Sequence, residues 1–99
     1  MINQYLMNLT DDQIEKIERY AAALLPAGEI AILLELKSDE RKIFEEIVRN
    51  HVDSPIYMAF HKGRLTTKLL LRETVIKLAR HGSPTAEPIA EKYIREQIS

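Results

Sequence analysis

Apolar residues recur at intervals of three and four along most of this chain, which is the spacing of one buried face of an α-helix. The first such face consists of Ile14, Ile17, Ala21 and Leu24. Just before it, Thr10 and Gln13 have the spacing of a capping box, in which each side chain binds the other residue's backbone N–H. The pattern therefore predicts a helix that begins at Asp11 and that Pro26 ends, because proline cannot continue a helix.

Two shorter helical segments are predicted after Pro26. The second helix extends from about Ala27 to Leu36, and its inward side chains are Ile30, Leu33 and Leu34. The third helix starts at Ser38 as N-cap, because serine accepts hydrogen bonds from the first free backbone N–H groups of a helix. It stops near His51, and its inward side chains are Ile43, Phe44, Ile47 and Val48.

A long fourth helix is predicted next. Ser54 followed by Pro55 is typical of a helix start, and helical spacing continues to Gly82, a residue that suits a left-handed helix end. A stripe of apolar or small residues runs along this helix: Ile56, Ala59, Phe60, Gly63, Thr67, Leu70, Leu71, Thr74 and Leu78. Gly63 costs about 1 kcal/mol relative to alanine in a helix interior, so its presence indicates that another helix approaches closely there.

A fifth helix is predicted to reach Ile98. Ser83 and Pro84 repeat the serine and proline start, but Pro88 would then remove a backbone hydrogen bond, which favours a start near Glu87 instead. Strand-like alternation is absent from the sequence, so we predict an all-α fold. We expect a three-helix, helix-turn-helix-like head at 1–52, followed by a helical assembly region at 53–99, together forming one compact unit.

The amino-acid composition is that of an ordinary folded domain and does not indicate a particular reaction or ligand. The chain has 99 residues, of which 45% are hydrophobic and 29% charged, and it contains no cysteine. These values fit a folded domain of ordinary size and exclude disulfides and cysteine-based zinc sites. Because no secretion signal and no apolar run of about 20 residues is present, we expect a cytoplasmic protein with no membrane partner.

The sequence does not contain the combinations of residues that a catalytic or metal site would need. The three histidines, His51, His61 and His81, have no second histidine or glutamate at a metal-binding spacing. The three glycines are scattered, so no loop can wrap a phosphate, and the carboxylates of the first helix lie opposite its apolar stripe. We therefore expect a protein that is not an enzyme and that uses neither a metal nor a cofactor.

Charge is unevenly distributed along the chain. Residues 1–59 contain eleven acidic and six basic residues, whereas residues 60–82 contain six basic residues and one acidic residue. Arg64, Lys68 and Arg72 form a basic stripe on the fourth helix, because residues four apart share a helix face. This stripe would contact phosphates, contact the acidic helices of a neighbouring subunit, or simply face solvent.

The three-helix head has the length and order of a helix-turn-helix domain, whose third helix enters the major groove of DNA. The outward residues of that helix are Arg41, Lys42, Glu45, Glu46 and Arg49. Carboxylates on this face oppose phosphate binding, and three-helix units also occur as plain scaffolds. DNA binding and a purely structural role therefore both remain open on the pattern alone.

The order of motifs resembles that of phage and prophage small terminase subunits. At the head, the resemblance involves Leu9-Thr10, Glu29-Ile30-Ala31 and Phe44. In the second half it involves Ser54, Pro55, Tyr57, Ala59, Phe60, Lys62, Gly63, Arg64, Leu71, Arg72, Ile76, Leu78, Ala79, Gly82, Ser83, Pro84 and Ala86. The resemblance implies a non-catalytic protein that recognises viral DNA for packaging, forms a homo-oligomer, and delivers double-stranded DNA to the large ATPase-nuclease subunit.

Two groups of site residues follow from the pattern and the resemblance together. The candidate DNA-binding residues are Arg41, Lys42, Arg49, Arg64, Lys68 and Arg72. The candidate packing or oligomerisation residues are Phe60, Gly63, Leu70 and Leu71. The competing hypothesis is a helical protein-protein interaction adaptor or regulator that does not bind DNA.

Overall fold

The computed structural model describes residues 7–99, and within them the secondary structure is entirely helical. The five helices are α1 (Asp11–Ala22), α2 (Ala27–Leu33), α3 (Ser38–Asn50), α4 (Pro55–Arg80) and α5 (Ala86–Gln97). The predicted all-α fold, with its number and order of helices, is confirmed.

The start of α1 is fixed by the capping box that the sequence predicts. The Gln13 backbone N–H donates to Thr10 Oγ1 at 3.1 Å, and the Thr10 N–H donates to Gln13 Oε1 at 2.9 Å. Two N–H groups that would otherwise lack a partner at the helix end are thereby satisfied. Asp11 and Asp12 add negative charge at the positive end of the helix dipole.

α1 and α2 end earlier than predicted, and both end in the same way. After α1, Leu24 has φ 66°, the Leu24 N–H donates to Ala21 O, and the next N–H donates to Tyr20 O. After α2, Glu35 has φ 63° and is followed by the corresponding pair of hydrogen bonds. This is the Schellman arrangement, which usually places glycine in the left-handed position. Because neither residue is glycine, the sequence does not indicate these helix ends.

Replacement of Glu35 by glycine is expected to raise the free energy of unfolding by about 0.5–1 kcal/mol. The left-handed conformation costs an L-residue roughly 1–2 kcal/mol, and the larger unfolded-state entropy of glycine offsets part of the gain. Gly82, at φ 86° after α4, is the matched control, because Gly82→Ala should lower stability by about 1 kcal/mol. Urea unfolding measures both changes, and a lower midpoint for Glu35→Gly would contradict the explanation.

The starts of the other helices correct and refine the predictions. The prediction that Ser38 is the N-cap of α3 is wrong, since Lys37 takes that position and donates its N–H to Glu40 Oε1 at 2.9 Å. Ser54 does cap α4, accepting the Ile56 N–H on Oγ at 3.1 Å. Ser83 Oγ accepts the Ala86 N–H at 3.2 Å at the start of α5.

Pro88 is compatible with α5 because of where that helix begins. The helix starts at Ala86, which makes Pro88 its third residue. The first N–H groups of a helix have no intrahelical partner, so the missing N–H of proline costs nothing in the first turn.

The chain divides into two compact units, Met1–Thr67 (the N-terminal unit) and Lys68–Ser99 (the C-terminal unit). The division falls after the predicted boundary at 52/53, because the first half of α4 supplies Ile56, Ala59 and Gly63 to the interior of the N-terminal unit. The core of that unit consists of Ile17, Ala21, Ile30, Ala31, Leu34, Leu36, Phe44, Ile47, Val48, Ile56 and Ala59.

Some residues predicted to face inward are exposed instead. Leu24, Leu33 and Ile43 are at least one-third exposed, as are the last members of the α4 stripe, Leu70, Leu71 and Leu78. Periodicity shows which residues share a helix face, but it does not show where the neighbouring helix that covers the face ends. In the second half of α4 the side chains with least exposure belong to Arg72, Val75 and Ala79.

Candidate nucleic-acid interface

Helices α2 and α3 have the dimensions of a helix-turn-helix. α2 has 7 residues, α3 has 13, and four residues, Leu34 to Lys37, connect them. Such motifs join two helices by a turn of about 3–4 residues and use the second helix for recognition. Leu34 and Leu36 anchor the turn in the core, while Phe44 and Ile47 fix the inner face of α3. One face of α3 is therefore held rigidly and the opposite face is open.

The open face of α3 carries mixed charge. Lys42 and Arg49 are both exposed and lie seven residues apart, which places them on the same side of the helix. Glu46 lies between them and accepts a hydrogen bond from Asn50 Nδ2 at 2.7 Å. Ile43, which the sequence assigns to the core, is also partly exposed here, with 38% of its surface accessible. The face thus offers two cations, a carboxylate that lies between them, an amide and an apolar side chain.

Arg41 points back toward the turn. Its guanidinium Nη1 donates to the backbone carbonyl of Leu36 at 3.0 Å, and the residue is partly buried. This hydrogen bond restrains the turn just after the left-handed Glu35. Among the three α3 bases predicted to contact DNA, Arg41 is therefore occupied within the N-terminal unit, whereas Lys42 and Arg49 extend from the helix.

The basic stripe of α4 also divides into exposed and occupied residues. Arg64 and Lys68 are exposed. Arg72 is half-buried; its Nη2 lies 2.6 Å from Glu96 Oε1, and its guanidinium lies over the Tyr93 ring at 4.0 Å from the centroid. The hydrogen bond from Arg72 holds the pKa of the Glu96 carboxyl below its usual value. Arg72 thus connects α4 to α5 within the C-terminal unit.

Replacement of Arg72 by alanine is expected to loosen the association of α4 with α5 while leaving DNA affinity within about twofold, because its guanidinium is already bound. Amide hydrogen exchange should show faster exchange in α5. The ion pair should persist as the pH falls until it passes below the lowered pKa of Glu96, where the carboxylate becomes protonated. Unchanged α5 exchange together with a large loss of DNA affinity would reverse this assignment.

The predicted packing residues also separate into two groups. Phe60 is partly buried against the core of the N-terminal unit. A Cβ added at Gly63 would collide with the carbonyl oxygen of Glu18 and lie 3.1 Å from Ala21 Cβ, so α1 and α4 approach closely within one chain. Thr67 Oγ1 donates to the carbonyl of Ala22 beside this contact. Leu70 and Leu71, in contrast, are exposed.

A groove of about 620 Å³ opens on the N-terminal unit beside the end of α3. Its apolar lining includes Ile14, Ile47, Val52 and Ile56, and its acidic residues are Asp11 and Asp53. Val52 and both aspartates are exposed. The groove therefore combines an aliphatic floor with two negative charges.

Two of the three histidines, His61 and His81, bind backbone carbonyls through their rings. His61 Nε2 donates to Val48 O at 2.9 Å and its ring packs on Tyr57, while His81 Nδ1 donates to Lys77 O at 2.8 Å. Over residues 7–99, no group of three or more histidine, aspartate or glutamate side chains could hold a metal ion. In the same part of the chain, no helix is both long enough and apolar enough to span a lipid bilayer.

Comparison with models of known protein families, with curated proteins and with solved structures returns no match.

Proposed function

We propose that this chain is a non-catalytic DNA-binding protein of the small terminase type, which recognises viral DNA for packaging and assembles into an oligomer. The observation that supports this most strongly is the α2-turn-α3 arrangement, in which the outward face of α3 carries Lys42, Ile43 and Arg49. An α-helix of this kind fits the major groove, where it can reach both phosphates and base edges.

In this role each side chain of α3 has a distinct task. Lys42 and Arg49 contact phosphates, and Ile43 offers the kind of apolar contact that distinguishes the thymine methyl group. Glu46 lies between the two bases and repels phosphates, which lowers sequence-independent affinity. Arg64 and Lys68 on α4 are candidates for further backbone contacts. Arg41 acts as a positioning residue, since it holds the turn.

Oligomerisation would compensate for weak DNA binding by a single head. Several modest DNA sites on one oligomer act at high effective concentration, and avidity can then exceed the affinity of one head by about 100-fold or more. Leu70 and Leu71 are candidates for the contact between subunits, because they are large apolar side chains left exposed. In this role the protein would act in the cytoplasm of a bacterial host and deliver DNA to a large ATPase-nuclease subunit of a phage or prophage.

A second candidate function is a helical adaptor that binds protein and not DNA. The observation that favours it is the number of large apolar side chains exposed on the C-terminal unit, including Leu69, Ile94 and Ile98. The acidic excess of the N-terminal unit, with eleven acidic against eight basic residues, also opposes DNA.

A salt titration distinguishes the two candidates. Binding of the purified protein to a labelled duplex is measured by fluorescence anisotropy at increasing salt concentration. The packaging function predicts an association constant that falls linearly with salt on a double-logarithmic plot, with a slope of about −0.9 for each phosphate contacted. Absence of binding at about 50 mM salt would favour the adaptor.

A further inference from the structure

The C-terminal half of α4 presents an apolar flank with a positive charge. Leu71 and Leu78 are seven residues apart, as are Leu70 and Lys77, so these four residues lie on one side of the helix. The three leucines are about half exposed. We call Leu70, Leu71, Leu78 and Lys77 the leucine flank. Leu69 and Ile76 lie on the opposite flank, and Glu73, the one acidic residue of α4, borders the leucine flank three residues after Leu70 and four before Lys77.

The groove of the N-terminal unit has complementary properties. Its floor is aliphatic, with Ile14, Ile47 and Ile56, and its acidic residues are Asp11 and Asp53. A volume of about 620 Å³ lies within the range of about 300–1,000 Å³ that is typical of binding pockets. It admits several side chains of a docking helix while the backbone of that helix stays outside.

We propose that the leucine flank of one copy docks into the groove of a second copy. The leucine side chains enter the groove against the accessible side chains of Ile14 and Val52, and Lys77 comes near Asp11 or Asp53. A second copy is favoured as the partner because the two units have opposite net charge. Met1–Thr67 carries eleven acidic and eight basic residues, whereas Lys68–Ser99 carries four acidic and six basic residues. The proposal rests on the self-assembly in the proposed function and names the two surfaces that form it.

The two surfaces are different, so the contact is head-to-tail. Each copy offers one groove and one leucine flank, and a heterologous contact of this kind propagates until it closes into a ring or extends as a filament. The opposite flank stays outside this contact, because Leu69 and Ile76 lie on the other side of α4 from Leu71 and Leu78.

Cysteine pairing tests this contact directly, because the chain contains no cysteine of its own. Val52→Cys on one sample is mixed with Leu71→Cys on another under a mild oxidant, so that only a disulfide between copies can join the two. A disulfide requires Cα atoms within about 7 Å and therefore reports close contact. We expect a cross-linked heterodimer of the two variants on a non-reducing gel, at least about tenfold more abundant than either homodimer.

Two matched controls test whether cross-linking is specific to the groove and the leucine flank. Leu69→Cys replaces Leu71→Cys, because these side chains are 57% and 55% exposed on different flanks of α4. Ile32→Cys on α2 replaces Val52→Cys, because these side chains are 62% and 57% exposed. Both control mixtures should show only background cross-linking, and circular dichroism confirms that every variant is folded.

Charge reversal supplies a second measurement that introduces no thiol. Asp53→Lys and Lys77→Glu should each weaken self-association about tenfold, and the double variant should recover most of the loss. Wild-type mass and DNA binding are recorded on the same sample. An oligomer that binds DNA but shows no Val52–Leu71 cross-link above the controls would overturn this docking contact and leave the proposed function standing. A monomer that binds no duplex would remove both.

Discussion

Replacement of Gly63 by alanine is expected to lower the free energy of unfolding of the N-terminal unit by about 2 kcal/mol. A new methyl group would meet the backbone carbonyl of Glu18, which cannot move unless α1 shifts as a whole. Overpacking of this kind costs about 1–3 kcal/mol, and the better helix propensity of alanine recovers about 1 kcal/mol at most. Thermal unfolding should show Tm falling by roughly 10 °C.

Gly28 in α2 is the matched control for this substitution. A Cβ added there would lie 3.6 Å or more from its nearest neighbours, the carboxylate atoms of Glu45, which is ordinary contact. Gly28→Ala should therefore leave stability unchanged or raise it by up to about 1 kcal/mol. Equal changes in the free energy of unfolding for Gly63→Ala and Gly28→Ala would contradict this explanation. They would show that the close contact between α1 and α4 does not require glycine at position 63.

Reversal of both exposed bases of α3, in the double variant Lys42→Glu and Arg49→Glu, is expected to weaken duplex binding at least about 100-fold near 50 mM salt. Each reversal removes a phosphate contact and adds a repulsive charge. The slope of the logarithm of the association constant against that of salt should become shallower by about 2, one for each lost contact. Anisotropy titrations of the wild type and the variant measure both quantities.

The control for this variant changes net charge by the same amount elsewhere. Lys16→Glu with Arg19→Glu places the reversals on α1, outside the proposed interface. It should weaken binding by less than about tenfold through long-range electrostatics alone. The same pair of reversals at Arg64 and Lys68 should have an intermediate effect. Equal losses from the α1 and α3 variants would show that α3 makes no special contact.

Local sequence signals predicted where the helices begin more accurately than where they end. Thr10 and Gln13 form the expected capping box because both partners lie within one turn. Leu24 and Glu35 end their helices in a left-handed conformation that gives no glycine signal. Such ends depend on the next helix being pulled into the core, which is a tertiary effect.

The candidate site was predicted in part. The spacing of Lys42 and Arg49 placed both on the outer face of α3, but spacing could not show that Arg41 would find the Leu36 carbonyl. In the same way, the stripe of α4 did not show that Arg72 would pair with Glu96, twenty-four residues later. Ile43 was assigned to the core from its period, although it adjoins Lys42 and is partly exposed.

The most direct test of DNA recognition by α3 is to map the protein residues that contact DNA. A ¹⁵N-labelled sample is titrated with duplex at low salt, and backbone amide shifts are followed for each helix. We expect the largest shifts to cluster on the outward face of α3, around Lys42, Ile43 and Arg49, while the acidic face of α1 changes little. Saturable binding with shifts confined to α1 or α5 and an unperturbed α3 would contradict DNA recognition by α3.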